Sequence, residues 1–326
     1  MNLTEKIFSI RNENDFLALA LEIFHRQFDG NRIYRQFVNS LAINPARVTR
    51  IVDIPFLPVE FFKTQKIITG NAEPQKIFLS SGTTGLERSR HEITDISLYR
   101  ESLLGCFEFF YGYPANYEIL ALTPSPSETP DSSLVYMIQQ LISLSGSDPG
   151  NYFLNREGDL FEILRNPPGK NKQILLIGLT YALMDFAGHY PGPLPGVIIM
   201  ETGGMKGKKE EITREELHDR LCLQFGVHQI HSEYGMTELL SQAYSAANGI
   251  FKTPEWMRIL IRDPEDPMRI LGQDETGGIN IIDLANVNSC SFISTKDIGR
   301  LNRDGTFEVY GRFDFSDIRG CSLMGL

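Results

Sequence analysis

The chain has little with which to build a redox or zinc site. Its four cysteines, Cys106, Cys222, Cys290 and Cys321, form no C-x-x-C pair, so the usual metal and disulfide-exchange spacings are missing. It has no basic excess. A net charge of −10 argues against a broad nucleic-acid or anionic-membrane face, while leaving room for a local basic pocket. It has no long apolar run. The most apolar stretch, near 174–188, contains Thr180 and Asp185 and is too short and polar to span a bilayer. Glu5, Lys6, Arg11, Glu13 and Asp15 interrupt any secretory core near the start, so cytoplasmic, reduced thiols are expected. Repeats, low-complexity linkers and the G-x-x-x-x-G-K-[ST] phosphate loop are missing too.

What is present reads as alternating elements. At 326 residues the chain can bury a large core. Residues 1–75 read as mainly helical, with Asp15 as a cap for a helix that turns Phe16, Ala20, Ile23 and Phe24 to one face. Apolar strands are expected at 76–79, 117–122, 173–179, 196–200 and 227–232. Between them come helices at 132–144, near 181–189, and after a capping box at Thr213-Arg214-Glu215-Glu216. Strand–helix alternation with strands apolar on both faces predicts an α/β fold, a mostly parallel sheet covered by helices. From 257 to 310 the pattern changes to short strands and tight turns, a small antiparallel β region. We take 1–310 as one α/β domain and 311–326 as a hinge motif with a short tail.

Three segments carry chemistry. Ser80-Ser81-Gly82-Thr83-Thr84-Gly85 follows the first strand and offers hydroxyls and open amides to a polyphosphate, with Arg88 and Arg90 beyond it. Gly203 and Gly204 follow the 196–200 strand, and Tyr234-Gly235-Met236-Thr237-Glu238 follows the 227–232 strand. Both are expected at the carboxyl ends of neighbouring parallel strands, where ligands bind. There Tyr234 would stack on a base, Thr237 would donate to a phosphate and Glu238 would hold magnesium. Asp297 and Gly311-Arg312-Phe313-Asp314 come late in the chain. Each segment alone suits an ordinary turn; their order together points to a nucleotide site that activates a carboxylate.

These segments resemble the ordered motifs of the adenylate-forming enzymes, the acyl- and aryl-CoA ligases and their relatives. More narrowly, nearly the whole chain resembles the acyl-protein synthetases, the long-chain-fatty-acid–protein ligases of bacterial bioluminescence. The runs 201–207 and 231–241 and Arg319-Gly320-Cys321 carry that match. The resemblance implies ATP and Mg²⁺ as cofactors, acyl-AMP as intermediate and a thioester as product. It implies Ser81, Gly82, Thr83, Thr84 and Gly85 around the phosphates, and Gly203, Gly204, Tyr234 and Gly235 around the adenine. Thr237 would contact the phosphate, Glu238 the metal, and Asp297 with Arg312 the ribose. Cys321 would accept the acyl group, and an acyl reductase and an acyl-donor protein would be partners. The family pattern is broken where Leu86-Glu87-Arg88 replaces a proline-lysine, where Arg319 stands for a lysine, and by the expected lack of a full C-terminal lysine domain after Leu326. An acyl- or aryl-CoA ligase, or a nucleotide-binding subunit without catalysis, remain as other readings. Cys106 and Cys222 are expected in the core.

Overall fold

A computed structural model describes residues 2–81, 87–166, 172–190, 192–203 and 212–313. Helices α1 (Leu3–Phe8), α2 (Glu13–Gly30) and α3 (Arg32–Ser40) come first, then strand β1 (Leu57–Pro58) and a single turn α4 (Phe61–Thr64). The cap of α2 is Asn12 rather than Asp15: the Asn12 side chain accepts from the Asp15 N–H at 3.0 Å. Asp15 sits in the first turn, where its charge favours the positive helix end. The expected face is right, since Phe16, Ala20, Ile23 and Phe24 are all fully buried.

An antiparallel pair, β2 (Lys76–Leu79) and β3 (Arg90–Ile93), leads to α5 (Ile96–Tyr111). Asp95 caps α5 by accepting from the Ser97 and Leu98 amides, and Gly112, at φ 72°, ends it. The central unit then runs β4 (Tyr117–Leu122), α6 (Ser133–Ser145), α7 (Glu157–Arg165), β5 (Gln173–Leu179), α8 (Thr180–His189), β6 (Val197–Thr202), α9 (Arg214–Phe225), β7 (His231–Tyr234) and β8 (Ala243–Ser245). The sheet order is β4-β5-β6-β7-β8, parallel except for the last pair. Successive residues of a strand face opposite sides. Accordingly Ile119, Ala121, Leu175 and Ile177 enter one core, and Leu120, Leu122, Ile174 and Leu176 the other. Two helical layers thus cover the sheet, as the apolar runs imply.

The last unit is antiparallel apart from one contact. Strands β9 (Met257–Arg262), β10 (Thr276–Asp283), β11 (Phe292–Leu301) and β12 (Phe307–Arg312) form it, and β1 joins β11 in parallel through Leu57 and Pro58. The N-terminal segment is thereby stitched to the C-terminal sheet. Among the described residues, no helix is long and apolar enough to cross a membrane.

Candidate functional site

The parallel strands β5, β6 and β7 end together, and a cavity of about 440 Å³ opens at those ends. Leu179, Thr202 with Gly203, and Gly235 mark the three strand ends in its wall. Leu79, Ser81 and Arg88 close it from the β2–β3 pair, and the first residues of α6 close a third side. Arg88 is already engaged: its guanidinium donates to the carbonyls of Ser80 and Leu79, the latter at 3.3 Å. Arg90 lies 3.5 Å from Glu92 in an ion pair on β3.

Beside the cavity the two sheets meet at Tyr234, the last residue of β7. Its hydroxyl donates to Asp297 Oδ2 at 2.7 Å, and Arg312 Nε donates to Asp297 Oδ1 at 2.9 Å. Antiparallel pairing puts Asp297 and Arg312 directly opposite each other on β11 and β12. The Asp297 side chain is 7% exposed and that of Arg312 is 57% exposed, so this is a buried carboxylate with one cation at its rim. Burial and then the Asp297 charge push the Tyr234 phenol well above its ordinary pKa, so it stays a donor. Its ring packs edge-on against Phe251 and Phe307. Beneath Asp297, buried Arg262 donates to the carbonyls of Ile279 and Thr295 and to the Asn280 side chain. Gly278 leaves room for that guanidinium: a Cβ there would lie 2.4 Å from Arg262 Cζ.

The segment after Tyr234 is held from behind. His91 on β3 places Nδ1 at 2.8 Å from the Thr237 carbonyl and Nε2 at 3.1 Å from Asn286 Oδ1, while Asn286 Nδ2 donates to the Glu238 carbonyl at 2.7 Å. Burial pushes the His91 pKa down to about 4, so a neutral ring with one proton fills this position. Asp283 accepts from the Leu240 and Ser241 amides and the Ser241 hydroxyl. Thr237 lines the cavity, whereas Glu238 is 6% exposed and is not in its lining.

Two carboxyls occupy the penultimate positions of β6 and β7. Burial alone would raise Glu201, but His218, Arg214 (3.7 Å) and the Thr180 hydroxyl outweigh it and hold the carboxyl below its ordinary pKa. Among the described residues Glu233 has one hydrogen-bond donor, the Thr202 hydroxyl, which serves its Oε2. Burial, with help from the Glu201 charge, raises Glu233 to about 7.

Of the expected site residues, Ser81, Gly203, Gly235 and Thr237 share the cavity wall. Tyr234, Asp297 and Arg312 form the adjoining corner. Gly82, Thr83, Thr84, Gly85, Gly204, Asp314 and Cys321 lie outside the described residues. Tyr234 and Thr202 belong to strands rather than to the loops after them, because β7 begins at His231 and β6 runs on to Thr202. The expected capping box at Thr213 is half made: Thr213 accepts from the Glu216 amide, while Glu216 pairs with Arg220. Cys106 is fully buried as expected, but Cys222 is only partly so. Glu233, His91, Asp283 and Asn286 were not anticipated. The one signal for Glu233 was its place immediately before Tyr234.

The fold is that of the N-terminal domain of adenylate-forming ligases. The chain is similar to 2-hydroxyisobutyryl-CoA ligase (HCL) in an open conformation with 2-HIB-AMP and CoA, at 11% identity and TM-score 0.68, covering 93% of this chain and 70% of that one. It is also similar to ATP-bound MatB from Rhodopseudomonas palustris, at 16% identity and TM-score 0.52, covering 72% and 47%. An ATP-bound RpMatB-BxBclM chimera matches at 15% identity and TM-score 0.54, covering 72% and 47%, so the chain spans about half the length of the MatB proteins. No curated protein matches the sequence. A family model described as Acyl-protein synthetase, LuxE matches residues 7–325, and the chain belongs to that family.

Proposed function

We propose that the protein joins a carboxylic acid to AMP at the expense of ATP, releasing pyrophosphate, and then moves the acyl group to the thiol of Cys321. The observation that carries this reading is the shared cavity. Ser81, Gly203, Gly235 and Thr237 come from distant parts of the sequence and meet at the carboxyl ends of parallel strands, beside the Asp297–Arg312 corner. The family name and the ATP-bound and acyl-AMP-bound relatives of like fold support the same chemistry.

In this reading Asp297 accepts the ribose hydroxyls, oriented by Arg312 and Tyr234. Gly203 and Gly204 let the adenine approach the backbone. Ser81, Gly82, Thr83, Thr84 and Gly85 donate to the β- and γ-phosphates, and Thr237 to the α-phosphate. A carboxylate oxygen of the acid attacks the α-phosphorus, the α–β bridging P–O bond breaks, and pyrophosphate leaves. The Cys321 thiolate then attacks the acyl carbon and AMP departs with the C–O bonding pair. The thioester is the form handed to an acyl reductase.

Mg²⁺ fits the donor set modestly. Among the described residues no group of three or more acidic, His or Cys side chains gathers to hold a metal. Magnesium commonly takes one or two carboxylates plus substrate phosphates; in this reading Glu238 is that carboxylate, its side chain lying buried outside the cavity lining next to Thr237 in the sequence. When bound, the ion would offset phosphate charge during attack.

Intact-mass spectrometry of the full chain with ATP, Mg²⁺ and an acid panel tests the second step. The expected result is a hydroxylamine-labile acyl adduct that vanishes in Cys321→Ser. An adduct that persists in Cys321→Ser, or acyl transfer to free coenzyme A alone, contradicts the Cys321 step.

A further inference from the structure

The end of β12 is held at three points. The strand loses register with β11 at Tyr310: Ile298 faces Gly311 and the next residue, Gly299, faces Val309, which leaves Tyr310 over. A bulge of this kind re-aims the residues beyond it. Beyond it, Arg312 Nε donates to Asp297 Oδ1 at 2.9 Å. The Phe313 amide donates to the Lys296 carbonyl at 2.9 Å, one step past the end of the strand. The Phe313 ring lies over the Arg262 guanidinium, with Cζ 5.6 Å from the ring centroid. Lys296 in turn pairs with Glu60, just before α4, at 3.0 Å.

Arg262 is built to receive that ring. It is 8% exposed, and the Ile279 and Thr295 carbonyls and the Asn280 side chain take its N–H donors. Glu60 and Asp297 act on it only through their charge, against the burial that lowers its pKa. A buried cation is costly unless its surroundings compensate, and the flat face of a guanidinium suits an aromatic ring. Phe313 supplies the ring. It also leads directly into residues 314–326, and Cys321 lies eight positions on. Eight residues span at most about 29 Å when fully extended. A root fixed at Phe313 therefore keeps the thiol within that radius of the Asp297 corner. A short tether of this kind raises the effective concentration of the group it carries.

We propose that Phe313, seated on Arg262, is a positioning residue for acyl transfer: it fixes the root of the 314–326 segment beside the Asp297 corner so that the Cys321 thiol meets the acyl-AMP. The inference rests on the Cys321 step proposed above and adds that the acceptor is aimed from an anchored root. The step served is the same one: the Cys321 sulfur bonds to the acyl carbon as the C–O bond to AMP breaks. Phe313 acts through the chain that follows it and touches neither nucleotide nor acid. Adenylation therefore does not need its ring.

The test separates the two half-reactions in the full chain. ATP–pyrophosphate exchange reads the first, over saturated straight-chain acids from octanoate to stearate. The acid exchanged fastest then serves a quenched single-turnover reaction, in which intact-mass spectrometry follows the adduct on Cys321. Phe313→Leu keeps the bulk and the main-chain bond but removes the aromatic face. It should leave exchange unchanged and slow adduct formation about 10-fold. Phe313→Tyr, which restores a ring, should recover the wild-type rate. Equal adduct rates in wild type and Phe313→Leu overturn the inference alone. Exchange and adduct formation slowed in step, or a Phe313→Leu chain that does not fold by circular dichroism, make the ring structural and overturn it likewise. No adduct on Cys321 in the wild type overturns the Cys321 step and this inference together, and no exchange with any acid overturns the adenylation reading as well.

Discussion

Asp297 joins the two sheets through a single side chain. One of its oxygens accepts from Tyr234 and the other from Arg312. The two donors differ in burial, so their removal should differ in effect. Tyr234→Phe strips a buried hydrogen bond to a charged group and should destabilise the fold by about 1.5–3 kcal/mol in a urea titration. Arg312→Ala breaks a pair whose cation is mostly exposed, and solvent screening leaves it worth about 1 kcal/mol or less. Its expected signature is instead a raised KM for ATP. Equal stability losses in the two variants would contradict this division. Motif order named Asp297 and Arg312 together, and the structure pairs them across β11 and β12. Tyr234 was named with them, but its hydroxyl bond to Asp297 was not legible, because a cross-sheet contact leaves no local pattern.

At the scale of elements, continuous apolar runs marked β4 and β5 correctly, since strands buried on both faces need no alternation. Strand β11 was not anticipated. Ser294, Thr295, Lys296 and Asp297 interrupt its apolar residues, and the strand is stabilised by β10 on one side and by β1 and β12 on the other. Strand β7, His-Ser-Glu-Tyr, is polar yet buried along its whole length, and polar residues gathered at a strand end read as a turn. The 3-10 turn Leu284–Asn286 and the Asp283 before it act as the clamp on 237–241. Asp283→Ala leaves the Leu240 and Ser241 amides buried without that acceptor and should cost about 2–4 kcal/mol, seen as a lowered Tm. An unchanged Tm would show that the clamp is dispensable.

For the whole molecule, two buried groups set opposite pH trends. The His91 pKa is about 4 in the fold against an ordinary 6.5, so its contribution is present above pH 6.5 and is lost as pH falls towards 4. Glu233 rises from 4.5 to about 7, so its contribution is present below pH 4.5 and is lost as pH climbs through 7. Glu233→Gln should therefore flatten the stability profile between those limits, removing a decline of up to roughly 3 kcal/mol. Chemical denaturation at pH 4.5 and pH 7.5 checks this; identical slopes in the two proteins would show that Glu233 titrates normally. The α/β layering and the strand-end location of the site followed from the sequence. The polar interior of the cavity did not, because burial of Glu233 and Gln242 arises only where β7, the segment after it and α5 converge.

The proposed adenylation at this strand-end cavity is probed most closely by ATP–pyrophosphate exchange across an acid panel in wild type, Thr237→Ala and Asp297→Ala, each shown to be folded. The expected exchange requires a carboxylic acid and falls about 100-fold or more in kcat/KM in either variant. Exchange that proceeds without an acid, or that both substitutions leave untouched, would contradict adenylation here.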